Sequence, residues 1–260
     1  MTPAPCPSEF ISFAGTLADA AAAVIRRYFR TTVAIDDKSD ASPVTIADRQ
    51  AEEVMRRLIE ETYPSHGILG EEHGRSHADA DYVWVLDPID GTKAFITGKP
   101  SFGTLIALMR GGVPILGIIN QPIIHERWLG ATGRGTTLND EPASVRACAD
   151  LGNAYLYATA PDMFAGHDAA PWGRLSGQVK LARYGADCYA YGLLASGFVD
   201  LVVEAQLKPY DYCAVVPVVE GAGGIMTDWH GRRLGLESDG RVVAAGDARM
   251  HRATLDALAG

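Results

Sequence analysis

Apolar residues recur every three or four positions from Glu9 to Arg30, at Phe10, Phe13, Leu17, Ala21, Val24 and Phe29. This spacing predicts an amphipathic helix with one buried face. A polar connection, Asp36 to Pro43, leads to a second helix predicted from about Thr45 to Thr62, with Ala47, Ala51, Val54, Leu58 and Ile59 on one face and Pro64 stopping it. Asp48 falls in the first turn of that helix, where the positive end of the dipole favours a carboxylate. The pattern then shifts to short uninterrupted apolar runs bounded by turn residues, which fit buried strands. Two of them end in acids: Gly67 to Gly70 runs into Glu71 and Glu72, and Val83 to Leu86 runs into Asp87 and Asp90.

Beyond Thr92 a short helix is predicted from Lys93 to Thr97, ending at Gly98. Three strands follow, Thr104 to Met109, Val113 to Ile119 and Glu126 to Ala131, separated by Gly111-Gly112 and Asn120-Gln121-Pro122 as in an antiparallel meander. Composition shifts between Ala143 and Asn153, which divides the chain into subdomains 1–145 and 146–260. The second reads as strands at Ala154 to Thr159, Val179 to Arg183, Val199 to Glu204, Ile225 to Asp228 and Val242 to Ala245. Helices after Pro171, from Cys188 to Ser196, from Asp211 to Gly221 with Asp211 at the N-cap, and from Ala248 to Leu258 alternate with them. That alternation predicts an α/β protein with a mixed or parallel sheet covered by helices.

The stretch from Asp87 to Thr92, Asp-Pro-Ile-Asp-Gly-Thr, concentrates the chemistry. Pro88 keeps Asp87 out of helical geometry and Gly91 tolerates a left-handed turn, so Asp87 and Asp90 can converge on one point. Two carboxylates that close beside an apolar strand repel each other and are costly to desolvate unless a cation lies between them. Oxygen-only ligation selects a hard cation, Mg²⁺ or Mn²⁺. The unpaired amides at the start of the next helix attract phosphate. Metal-assisted phosphoryl transfer unites the two features. The residues after Asp87 lack the oxygen ligands of an EF-hand, and acids three apart do not form the D-x-D of aspartyl-phosphate enzymes. No nucleophile elbow, P-loop or dinucleotide fingerprint is present.

The net charge of −9 gives no basic footprint for nucleic acid or anionic membrane. With 47% hydrophobic residues and no uninterrupted apolar run near the roughly 20 residues of a membrane helix, the expectation is a soluble cytoplasmic chain without a signal peptide. The four cysteines have no paired spacing, which argues for reduced structural thiols.

Gly70-Glu71-Glu72, Trp84 to Thr92 and Tyr210-Asp211 through Glu220-Gly221-Ala222-Gly223-Gly224 together resemble the inositol monophosphatase superfamily, over nearly the whole chain. The resemblance implies a layered αβαβα sandwich and a lithium-sensitive, Mg²⁺-dependent hydrolase of small phosphate monoesters, commonly a homodimer. Carried over by position, Glu71, Asp87 and the Ile89 carbonyl would hold one ion, and Asp87, Asp90 and Asp211 a second. A third, weaker ion would lie near Glu71. Thr92 and Asp48 would orient the attacking water, and the Gly91 and Thr92 amides would hold the phosphate. The last motif departs from the usual pattern, with Tyr210 where the family has tryptophan, but keeps the ligand Asp211.

Ala160 to Phe164, Arg183 to Gly192 and Lys208 to Asp211 resemble the histidinol-phosphate phosphatase branch of histidine biosynthesis. Asp187 and Glu204 would face the ammonium and imidazole of histidinol phosphate, with Arg183 orienting the two acids. Inositol 1-phosphatase and nucleotide 3'-phosphatase are the alternatives within the superfamily. Outside it stand a non-catalytic metal- or phosphate-binding protein and acids that merely cap helices and turns.

Overall fold

A computed structural model describes residues 5–32, 35–37, 43–77 and 79–260. The two helices expected from the 3.6-residue pattern form as α1 (Ser8–Tyr28) and α2 (Ile46–Thr62). α1 buries Phe10, Ala14, Leu17, Ala18, Ala21, Ala22 and Ile25 along one stripe. By length and composition alone α1 is apolar enough to cross a membrane, which counting uninterrupted runs does not reveal. Its other face, however, exposes Glu9, Asp19, Arg26 and Arg27, the distribution of a helix lying on a core. Residues 38–42 of the predicted polar connection lie outside the described residues; its flanks pair as the hairpin β1 (Ile35–Asp37) and β2 (Pro43–Thr45).

The larger sheet contains β3 (Gly67–Gly70), β4 (Gly74–Ser76), β5 (Tyr82–Asp90), β6 (Gly103–Arg110), β7 (Val113–Gln121), β8 (Glu126–Ala131), β9 (Gly135–Leu138) and β10 (Glu141–Pro142). Its order is β10-β9-β8-β7-β6-β5-β3-β4, and the β6-β7-β8 meander is antiparallel as expected. Only β3 and β5 run parallel within it. The short helix α3 (Thr92–Ile96) follows β5.

The second sheet is built from β11 (Tyr155–Ala158), β12 (Leu181–Tyr184), β13 (Leu201–Glu204), β14 (Ile225–Thr227) and β15 (Val242–Ala245), in the order β12-β11-β13-β15-β14. It is mixed: β11 is parallel to both of its neighbours, and β15 is antiparallel to β13 and β14. The helices of this half are α4 (Ala169–Ser176), α5 (Tyr189–Ala195), α6 (Pro209–Tyr212), α7 (Val215–Gly221) and α8 (Ala248–Ala259).

Five layers alternate. α1 and α2 cover one face of the larger sheet, α5, α6 and α7 lie between the two sheets, and α4 and α8 cover the outside of the smaller sheet. Each interface has its own core. Trp84, Leu86 and Ile106 pack under α1 and α2; Val85, Trp128 and Tyr191 pack in the middle; Leu156, Val203 and Met250 pack outside. Full burial of such side chains stabilises by roughly 1.5–3 kcal/mol each.

The helix boundaries around Asp211 differ from expectation. The single helix predicted from Asp211 to Gly221 is two helices, because Pro217 has no backbone N–H and is tolerated only in a first turn, so α7 restarts at Val215. Asp211 is consequently not an N-cap; it is the third residue of α6, and its Oδ2 accepts the Lys208 backbone N–H at 2.7 Å.

Candidate active site

The parallel register of β3 and β5 pairs Gly70 with Leu86, so Glu71 and Asp87 leave neighbouring strands at the same level. The Glu71 N–H donates to the Leu86 carbonyl at 3.1 Å. β5 continues through Asp90, beyond the predicted end at Leu86, but its pairing with β6 shifts between Asp87 and Asp90. A bulge at this point re-aims side chains without ending the strand. The turn is held from within: the Ile89 N–H donates to Asp87 Oδ1 at 3.0 Å, and Thr104 Oγ1 donates to the Pro88 carbonyl at 2.9 Å. Gly91 then adopts φ +86°, a left-handed value that glycine reaches without strain, and starts α3.

α6 brings Asp211 to the same place from the middle layer. One oxygen each of Asp87, Asp90 and Asp211 lies within 4.8 Å of the others. Burial holds the Asp87 carboxyl well above the usual range, and the charges of Glu71, Asp90 and Asp211 push it further. Asp90 is raised well above its ordinary value by burial and then by Asp187 and Asp211. Asp211 is pushed up to about 7, chiefly by burial. Three converging hard-oxygen ligands, each disfavouring its own charge, fit a divalent cation, whose charge reverses the penalty. Glu71 lines the adjoining cavity with Asp90 and Asp211.

Asp48 caps α2 with one carboxylate oxygen and reaches Thr92 with the other. Its Oδ2 accepts the Thr45 backbone N–H at 2.9 Å and the Thr45 hydroxyl at 2.5 Å, closing a capping box at the start of α2. Its Oδ1 lies 3.4 Å from Thr92 Oγ1, which is also 3.2 Å from the Ile89 carbonyl. Burial raises the Asp48 carboxyl, opposed by the two Thr45 hydrogen bonds.

Glu71, Asp90, Gly91, Thr92, Asp187, Glu204 and Asp211 all line one cavity of about 210 Å³. Glu204, at the end of β13, is nearly fully buried; its Oε1 accepts the Thr159 N–H and its Oε2 the Tyr191 hydroxyl, both at 2.8 Å. Burial lifts it to about 7. Asp187 has a left-handed backbone, φ +49°, and is lifted to about 6 by burial, opposed by Lys99, Ser101 and Lys93. The next residue, Cys188, donates its N–H to Asp90 Oδ2 at 2.6 Å, tying the Asp187 turn to the carboxylate cluster.

Arg183 is not brought to this site. β12 is an edge strand in which Arg183 pairs with Tyr157, and the side chain lines a separate groove with Tyr155, Tyr157 and Phe198. Strand alternation and the turn at Gly185 separate it from Asp187, so its expected orientation of the two acids is not formed. Conversely, Lys93, Thr159, Tyr191 and Leu207 line the cavity without having been singled out. Only topology places them there, since they come from α3, the end of β11, α5 and the segment after β13.

Comparison with known proteins agrees with this geometry. The inositol monophosphatase family model matches residues 7–259. The bifunctional phosphatase IMPL2, chloroplastic, of Arabidopsis thaliana is 55% identical over 259 residues, covering 96% of this chain and 75% of the relative. A histidinol-phosphatase of Chlorobaculum parvum is 36% identical over 230 residues, covering 88% of this chain and 89% of the relative. The solved structure of an inositol monophosphatase from Zymomonas mobilis matches with a TM-score of 0.90 at 48% identity, covering 97% of this chain and 98% of that one.

Proposed function

This chain belongs to the inositol monophosphatase family of phosphatases, and on that premise we propose that it is a Mg²⁺-dependent phosphomonoesterase acting on histidinol phosphate. The observation that carries the substrate is the placement of Asp187 and Glu204 in the same cavity as Asp90, Thr92 and Asp211. A substrate bearing an ammonium and an imidazole offers both acids a charged partner, whereas a neutral polyol adds nothing to the Thr159 and Tyr191 hydrogen bonds on Glu204 or to the Lys99, Ser101 and Lys93 groups around Asp187. The resemblance to a histidinol-phosphatase supports the same choice.

Asp87, Asp90 and Asp211, with Glu71 on the adjoining cavity, would hold Mg²⁺, and the family resemblance adds the Ile89 carbonyl to that ligand set. Bound there, it supplies Lewis-acid stabilisation of the negative charge on phosphate and leaving oxygen. The chain's own residues do the rest. Asp48 Oδ1 accepts the Thr92 hydroxyl proton, which leaves a lone pair on Thr92 Oγ1 free to accept from the attacking water and orient it toward phosphorus. Gly91 and Thr92, at the start of α3, offer backbone donors to the phosphate oxygens. No side chain need become phosphorylated.

Inositol 1-phosphate is the second reading, favoured by the likeness to the Zymomonas mobilis inositol monophosphatase. Measuring kcat/KM for histidinol phosphate, inositol 1-phosphate and adenosine 3',5'-bisphosphate at fixed Mg²⁺ decides. Histidinol phosphate should lead by at least about tenfold, roughly one well-placed charge contact. A clear lead for inositol 1-phosphate overturns the substrate, and no turnover of any monoester overturns the activity.

A further inference from the structure

Between Gly70 and Gly74, which pair across β3 and β4, the chain makes a three-residue turn of Glu71, Glu72 and His73. Every backbone amide in a turn this tight needs an acceptor or water. The Glu71 N–H goes to the Leu86 carbonyl. The other two go to one side chain: the Glu72 N–H donates to Glu52 Oε2 at 2.7 Å, and the His73 N–H donates to Glu52 Oε1 at 3.1 Å. Glu52 belongs to α2 and is fully buried, at 0% exposure. Its only cationic partner among the described residues is Arg56, one turn on, whose Nε donates to Oε1 at 2.7 Å while its Nη2 donates to the Gly74 carbonyl. The carboxylate also fills the space over Gly70, where an added Cβ would lie 1.9 Å from Oε1.

Asp48, Glu52 and Arg56 follow one another at intervals of four residues, so they stand on one face of α2. The first reaches Thr92 and the next two grip the turn that carries Glu71. We propose that Glu52 is a positioning residue, which fixes the Glu71 turn against α2 so that the water-orienting pair and the metal-binding edge keep one spacing. This rests on the reading of Glu71 as part of a Mg²⁺ site. A glutamine at position 52 retains the volume but offers one acceptor oxygen and an NH₂ that opposes a backbone N–H.

The test is Glu52→Gln in the full chain, with two readouts. Amide exchange at residues 71–73 of the metal-free protein should accelerate about tenfold or more. The Kd for Mg²⁺, measured by calorimetry, should rise about 10- to 100-fold, the usual cost of losing a group that orients a ligand. The substrate KM at saturating Mg²⁺ should stay within about twofold. A melting temperature that drops while Mg²⁺ affinity and turn exchange remain at wild-type values makes Glu52 merely structural and overturns the proposal. Should Glu52→Gln fail to fold, Arg56→Gln carries the test: about threefold changes in the same two readouts are expected, and none overturns it. If the wild-type protein binds no Mg²⁺, the functional reading fails, and exchange at 71–73 still decides whether Glu52 holds the turn.

Discussion

Gly91 and Asp187 are in direct contact: a Cβ built on Gly91 would lie 2.7 Å from Cγ of Asp187. The turn proposed to hold the phosphate thus packs against the acid proposed to face the substrate's cation. Gly91→Ala should act twice. At φ +86° an alanine is strained by about 1–2 kcal/mol, and its methyl must displace Asp187. We expect urea unfolding to show that stability loss, and kcat/KM for histidinol phosphate to fall by about a hundredfold, the scale of an approximately 1 Å misplacement. Wild-type turnover would remove this contact from the account.

Asp90→Asn separates metal binding from folding. In the metal-free protein Asp90 is one of three converging carboxylates, raised first by burial and then by the charges of Asp187 and Asp211. Asparagine removes the repulsion and still accepts the Cys188 N–H through its side-chain oxygen. The metal-free variant at pH 8 should therefore melt no lower than metal-free wild type, while Mg²⁺ no longer raises its melting temperature and turnover drops by at least about 10³-fold, as for loss of a principal electrostatic contact. Retained activity would return these acids to caps and turns.

Much of this site is legible from local pattern. An apolar run followed by acids marks a strand end, and two such ends at Glu71 and Asp87 become neighbours because β3 and β5 pair in parallel. Asp48 is legible from spacing only as a cap; its second bond to Thr92 spans 44 residues and was expected from the family resemblance, not from local pattern. Glu52 could not be read at all, since a glutamate amid helix-surface residues is ordinarily solvated and only packing shows it at 0% exposure. Arg183 failed for a different reason: it lies in the stretch that carries the resemblance to histidinol-phosphate phosphatases, but an edge strand turns it to another groove.

Stability of the metal-free protein should fall as pH rises. Burial lifts Asp187 to about 6 and Asp211 and Glu204 to about 7, from ordinary values of 3.8 and 4.5. Between those ordinary values and pH 7 the folded protein binds more protons than the unfolded chain, so ∂ΔG/∂pH is negative in that window. The contribution is complete below about pH 4 and is lost through pH 6 to 7. Melting in EDTA from pH 5 to 8 should show a decline of about 2–4 °C for each kcal/mol lost, and saturating Mg²⁺ should flatten it. A rise over this range in EDTA contradicts the burial of these acids.

Asp187→Asn isolates substrate choice from chemistry. The asparagine has the same size, keeps the packing against Gly91 and leaves the Cys188 N–H on Asp90. What it removes is a negative charge in a cavity shared with Glu204, whose own burial limits how far it can substitute. An ammonium about 4 Å from a carboxylate in a partly screened site gains up to about 4 kcal/mol before desolvation is subtracted. The net loss should be roughly ten- to a hundredfold in kcat/KM for histidinol phosphate, against less than about threefold for p-nitrophenyl phosphate, which has no cation to lose. Because Asp187 sits near 6, the wild-type preference for histidinol phosphate should also shrink as pH drops below that value. Equal losses on both substrates, or a preference that ignores pH, would place the substrate's cation elsewhere in the cavity.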